Sequence, residues 1–162
     1  LNEYGINPYP ERYETTHTLA QAATLPDESG GISIAGRVIA VRKMGKLTFV
    51  HLQDLQGRVQ VALKKDVLGE QYDVFHKVVD IGDFIGVQGA TFTTRTGEKT
   101  VQTSQFTFLG KSLRDLPEKW HGLKDIELRY RQRYLDLIAS AESRRVFVMR
   151  SKLLKSDRKS VV

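Results

Sequence analysis

The chain has 162 residues, no cysteine and a formal net charge of +6. That length supports one domain with its own core plus an appendage, and the lack of cysteine excludes a disulfide framework and a thiolate metal site. No apolar run approaches a membrane span and no signal-peptide layout opens the chain, so a soluble cytoplasmic protein without membrane contact is expected. The charge is unevenly spread. Residues 1–110 carry 11 Lys and Arg against 12 Asp and Glu, whereas residues 111–162 carry 14 against 7. The basic excess that would attract an acidic partner therefore lies in the C-terminal part, with a local cluster of Arg37, Arg42, Lys43 and Lys46 further upstream. Acidic residues gather between Asp66 and Asp83, which predicts one cationic and one anionic side.

Residues 1–31 read as a peripheral arm broken by Pro8, Pro10 and Pro26, with a short helix over Thr18–Leu25 and a flexible joint at Asp27–Gly31. From Ile32 the pattern changes to strands: Ile32–Lys43, Leu47–Gln53 and Gly57–Leu63, the last two joined by a turn at Asp54–Gly57. Asp66–Val79 has helical length and places Leu68, Tyr72, Phe75 and Val79 on one face. Two more strands follow, Phe84–Thr94 and Lys99–Leu109, around the turn Arg95–Glu98. Three strands, a helix and two strands over residues 32–110 is the order of a mainly β, five-stranded OB-fold barrel, whose outer face commonly binds oligonucleotides. Residues 111–162 form a helical linker: Pro117 and Gly122 punctuate its start, Asp125 is the N-cap, and Leu128, Leu135 and Ile138 recur at helical spacing among Arg129, Arg131 and Arg133.

The second and third strands hold the anomaly. Alternation puts Val50 and Leu52 on one face of Thr48–Gln53, and Val59, Val61 and Leu63 on one face of Arg58–Leu63. With those aliphatics in the core, Phe49 projects outward among His51, Arg58 and Gln60. A ring among hydrogen-bonding groups suits an unstacked base, whose face stacks on the ring while amide and guanidinium groups meet its edge. The same pattern also suits a phenylalanine packed under the arm or a loop, since single apolar residues outside a core are common.

Three strings carry a resemblance. Leu116–Ile138 (LPEKWHGLKDIELRYRQRYLDLI), Gly5–Tyr9 (GINPY) with Thr16–Leu19 (THTL), and Met44–Gln60 (MGKLTFVHLQDLQGRVQ) resemble, in this order, the anticodon-binding region of class II lysyl-tRNA synthetases. The resemblance implies that Phe49 stacks on the central anticodon uridine, as in the lysyl, aspartyl and asparaginyl enzymes, and that Gln60, eleven residues later, and Glu98 hydrogen-bond that base. Arg42 matches a family arginine in the anticodon site, and His51 is a weaker carry-over. The trio Phe49, Gln60 and Glu98 marks the central-U group; the lysine assignment rests on the linker string and the GINPY arm. Uracil presents one N–H between two carbonyls, which a glutamine and a carboxylate can meet.

No catalytic or metal-binding residues are expected. His17, His51, His76 and His121 lack ligand spacing, and no nucleophile constellation or Walker loop is present. Trp120 reads as a packing residue, and the RYRQRY run as a solvated helix face. After Leu154 the chain departs from the family pattern, and the arginine-bearing ATP signatures do not follow. Together with the start at Leu1, this predicts a fragment that needs no cofactor of its own, ATP and Mg2+ belonging to the full-length enzyme. The implied partners are the lysine tRNA, with its central-U anticodon, and a catalytic domain elsewhere. Full-length members are homodimers, but much of that interface lies outside this chain, which leaves its own dimerisation in question. The alternatives are a free-standing OB module for single-stranded nucleic acid and a protein-interaction module.

Overall fold

The computed structural model describes residues 2–8, 10, 12–113, 116 and 125–160. Two compact units are present, Leu1–Asp115 and Leu116–Val162. In the first, five strands, β1 (Ile32–Met44), β2 (Leu47–Gln53), β3 (Arg58–Lys64), β4 (Phe84–Thr93) and β5 (Lys99–Gly110), close into a barrel in the order β1-β2-β3-β5-β4. Neighbours are antiparallel except β3 and β5, which run parallel through Gln60↔Thr100, Val61↔Val101 and Ala62↔Gln102. The expected OB-fold order is thus present, and each strand begins and ends within a residue of its predicted bounds.

The alternation does what it predicts. Val50 and Leu52 of β2 and Val61 and Leu63 of β3 are fully buried, with Ile34, Val38, Ile85, Val87 and Val101 completing the interior. Helices α2 (Lys65–Leu68) and α3 (Glu70–Val78) follow β3 and pack Leu68, Tyr72, Phe75 and Val78 into this core. Phe75 meets Phe106 edge-on with centroids 5.5 Å apart, a favoured aromatic geometry. The single predicted helix is divided at Gly69, whose φ of +56° is costly for a residue with a β-carbon.

A hydrogen-bond chain fastens α3 to the turn between β1 and β2. The Tyr72 hydroxyl donates to the Gly45 carbonyl at 3.0 Å. Its single proton being used, its oxygen accepts from Thr48 at 2.9 Å, and Thr48 in turn accepts from His76 Nε2 at 2.8 Å. The acidic and basic segments therefore meet at Gly45 and do not occupy opposite sides, because burying Tyr72 brings α3 against the basic turn. Burial, and secondarily the Lys43 charge, holds the His76 imidazole below its ordinary range, with Asp73 opposing.

The arm contributes to the core. Thr18 caps the short helix α1 (Leu19–Ala22) in a reciprocal capping box with Gln21, and Leu19 and Ala22 are fully buried. The Asp54 carboxylate accepts from Leu19 N at 3.1 Å and from Gln56 N and Gly57 N at 2.7 Å, tying α1 to the β2–β3 turn. The expected flexible joint is instead pinned to β4 and β5: Glu28 N donates to Thr91 O, Thr91 N donates to Ser29 O, and Asp27 pairs with Lys99. Gly31 (φ +68°) takes the left-handed conformation immediately before β1.

The second unit holds α4 (Ile126–Arg131), α5 (Arg133–Ala139) and α6 (Ala141–Ser160). Asp125 caps α4 by accepting from Glu127 N and Leu128 N. The expected continuous helix breaks at Gln132 (φ −116°, ψ 53°) and again at Ser140. The break brings Arg129 and Arg133 onto one buried carboxylate, Asp136. Burial works to raise that carboxyl, but hydrogen bonds from Ser143, Arg133 and Arg129 outweigh it and hold it below the usual carboxylate range. Arg129 and Arg133 are thus internal ties, while Arg131 stays exposed beside Glu127. Pro117, Trp120, His121 and Gly122 lie outside the described residues.

Two outcomes test this packing. Leu19→Ala should lower stability by about 2–5 kcal/mol, as for a fully buried leucine; urea unfolding measures it, and a loss below about 1 kcal/mol would return the arm to a peripheral role. The folded His76 binds a proton less readily than the unfolded one, so its contribution is complete above about pH 6.5 and declines as pH falls below that value. Melting temperature should therefore drop more between pH 7.5 and about 5.5 in the native chain than in His76→Gln.

Candidate nucleic-acid interface

The register lays the outward side chains in rows. Arg42, Phe49, Ala62 and Gln102 lie side by side across β1, β2, β3 and β5. In the next row stand Ala40, His51, Gln60, Thr100 and Phe92, the last on β4. Arg58 follows opposite Gln53, two residues from Gln60 and on the same face.

Phe49 is half-buried and does not belong to the core cluster. The guanidinium carbon of the exposed Arg42 stands 5.6 Å from its ring centroid, at cation–π distance. Glu98 is placed by the tight turn before β5: Thr94 N donates to Glu98 O at 3.0 Å and Gly97 N to Thr94 O at 2.9 Å, with Gly97 at φ +82°. From there its Oε1 reaches His51 Nε2 at 2.9 Å across the barrel surface. Arg58 is exposed at the margin of this group.

Gln60 is 2% exposed, unusual for an outward glutamine. Its Nε2 donates to Thr100 Oγ1 at 2.8 Å, while its Oε1 is buried with no hydrogen-bond partner among the described residues. A buried acceptor left open costs on the order of 1–3 kcal/mol, so the site carries an unmet demand for a donor.

Of the six sequence-predicted residues, Arg42, Phe49, His51 and Gln60 lie in two adjacent rows, Glu98 reaches His51 from the turn before β5, and Arg58 borders them. Two neighbours escaped the sequence reading. Thr100 is visible only through the parallel β3–β5 pairing, forty residues apart in sequence. Phe92 is half-buried, with Lys64 Nζ 5.9 Å from its ring, and its strand alternation was the available signal. Among the described residues no three His, Asp or Glu side chains are grouped to hold a metal ion, and no helix is long and apolar enough to cross a membrane.

Comparison with known proteins agrees with this fold. Residues 32–109 match the family described as an OB-fold nucleic acid binding domain, the tRNA anticodon type. Lysine–tRNA ligase of Bacillus cytotoxicus is 48% identical over 98% of the chain, and that of Bacillus cereus 47% over the same share, each alignment covering 34% of the relative. The Aquifex aeolicus lysine–tRNA ligase is 55% identical over 79% of the chain and 22% of its own length. The chain belongs to the class II lysyl-tRNA synthetase family and carries its OB-fold anticodon-binding domain. It spans about a third of the length of the Bacillus relatives and 22% of the Aquifex one.

Phe49→Ala should leave thermal stability nearly unchanged, because the ring lies outside the core, and should weaken binding of an RNA stem-loop by about 1–3 kcal/mol, the usual value of one base–aromatic stack. A large fall in melting temperature with unaltered binding would assign Phe49 to packing.

Proposed function

We propose that the outer face of β2, β3 and β5 recognises the anticodon of the lysine tRNA through its central uridine. The buried Gln60 Oε1, unpaired among the described residues, is the observation that carries this reading. The central base stacks on Phe49, which lies outside the core cluster and is flanked by Arg42. Gln60 Oε1 then accepts the imino N–H, the one donor on the pairing edge of uracil. The Glu98 carboxylate, hydrogen-bonded to His51, lies on the same side of the site and shares that single N–H with Gln60. Arg58 and Arg42 supply donors and positive charge for carbonyl and phosphate oxygens. The basic second unit strengthens attraction to RNA without sequence preference.

The ATP- and Mg2+-dependent attachment of lysine belongs, on this reading, to the part of the cytoplasmic full-length ligase that this chain does not span. There the chain acts as the tRNA-positioning portion, and a homodimer is the assembly the family resemblance implies. Its own residues stack, hydrogen-bond and orient the anticodon loop.

Fluorescence titration of the chain with stem-loops differing only at the central base tests the assignment. Gln60→Ala should lose about 1–3 kcal/mol for the central-U loop and less for the others, as expected when a buried hydrogen bond to the correct base disappears. Arg42→Ala should weaken all loops alike and flatten the salt dependence. Equal loss of affinity for every central base in Gln60→Ala would remove the glutamine from base reading. Base-blind binding by the native chain would favour a general single-strand module.

A further inference from the structure

We infer that Thr100 is the residue that sets the base preference of this face, by locking the Gln60 side chain with its oxygen towards the ligand. The inference rests on the anticodon reading above and adds a residue to it.

A primary amide is nearly symmetric in shape, so Gln60 could present either a C=O or an NH2 to a base. The two presentations select opposite partners. A carbonyl accepts the N3–H of uracil, whereas an amino group donates to the unprotonated N3 of cytosine. Nothing in the glutamine itself chooses between them.

The choice is made by the hydroxyl of Thr100, which is fully buried beside Gln60 in the parallel β3–β5 pair. A threonine hydroxyl has one hydrogen. Here it donates to the backbone carbonyl of Glu98 at 3.1 Å, the same carbonyl that closes the turn before β5. At its 2.8 Å contact with Gln60 the Thr100 oxygen can then only accept, so the amide must turn its Nε2 towards Thr100. Oε1 is left facing away from Thr100, and it is the buried atom without a partner. Turning the amide over would oppose two lone-pair oxygens unless Thr100 released Glu98. The relay Gln60 N–H to Thr100 O–H to Glu98 C=O thereby sets the amide from the backbone of the turn that also carries the Glu98 side chain. Thr100 touches no base; it is a positioning residue whose effect appears as specificity.

The test uses the full chain and two stem-loops with U or C at the central position. The native chain should prefer U. Thr100→Val keeps the shape but lacks the hydroxyl, so the amide can turn and offer N–H; the U-over-C preference should fall by about tenfold or more, mostly through tighter binding of the C loop, since a hydrogen bond of this size is exchanged. Thr100→Ser retains the hydroxyl and should keep the native ratio. A Thr100→Val chain that binds with the native U-over-C ratio, or that loses both loops equally, overturns the inference while leaving the anticodon reading intact. Absence of any U preference in the native chain contradicts the anticodon reading itself. Should Thr100→Val fold poorly, NMR of the native chain decides: a cross-relaxation contact between a Gln60 Nε2 hydrogen and the Thr100 side chain is expected, and its absence overturns the inference.

Discussion

The parallel pairing of Gln60–Ala62 with Thr100–Gln102 is the constraint on which the rest of this domain depends. Every other strand contact is antiparallel and made within the β1–β2–β3 meander, the β4–β5 hairpin or the β1–β4 pair. This one short parallel contact joins β5 to β3, and with β1–β4 it closes the barrel and abolishes the open sheet edges. It also creates the site. Glu98 and Thr100 precede or begin β5, and only their placement beside β3 brings them to His51 and Gln60.

Closure places demands on the backbone that the sequence meets locally. β4 and β5 approach so closely at Gly89 that the Gln102 carbonyl fills the space a β-carbon would need, and the register slips between Gln88 and Gly89. Such a bulge lets a strand curve around a small barrel. The interior is then filled by the inward faces of the strands, α2 with Leu68, α3 with Phe75, and α1 with Leu19. The outer face built on this core holds a half-buried ring, Phe49, beside a buried amide, Gln60.

Much of this was legible in the sequence because period-two alternation is strong in β2 and β3. Val50, Leu52, Val59, Val61 and Leu63 declare an inner face, and Phe49 and Gln60 then fall outside it with no further information. The resemblance added Arg42 and Glu98, which alternation alone would not single out. What stayed hidden depends on pairing across distance. The Gln60–Thr100 contact joins residues forty positions apart, and neither period nor propensity encodes it. Helix breaks are also hidden from periodicity: Gly69 divides the helix after β3, and Gln132 breaks a stretch whose apolar spacing fits one helix. In the second case the buried Asp136 draws arginines from both sides of the break, a tertiary demand that overrides local propensity.

The central claim is that this outer face, and not the basic helical unit, reads the anticodon base. The most direct measurement is NMR titration of the isotopically labelled full chain with a stem-loop carrying a central uridine, then with the same loop carrying N3-methyluridine, which lacks the imino donor. The account predicts large shifts for the Gln60 side-chain amide, Thr100 and the residues around Phe49 with the first loop, and loss of the Gln60 shift with the second. Shifts confined to Ile126–Ser160, or the same Gln60 response to both loops, would contradict it.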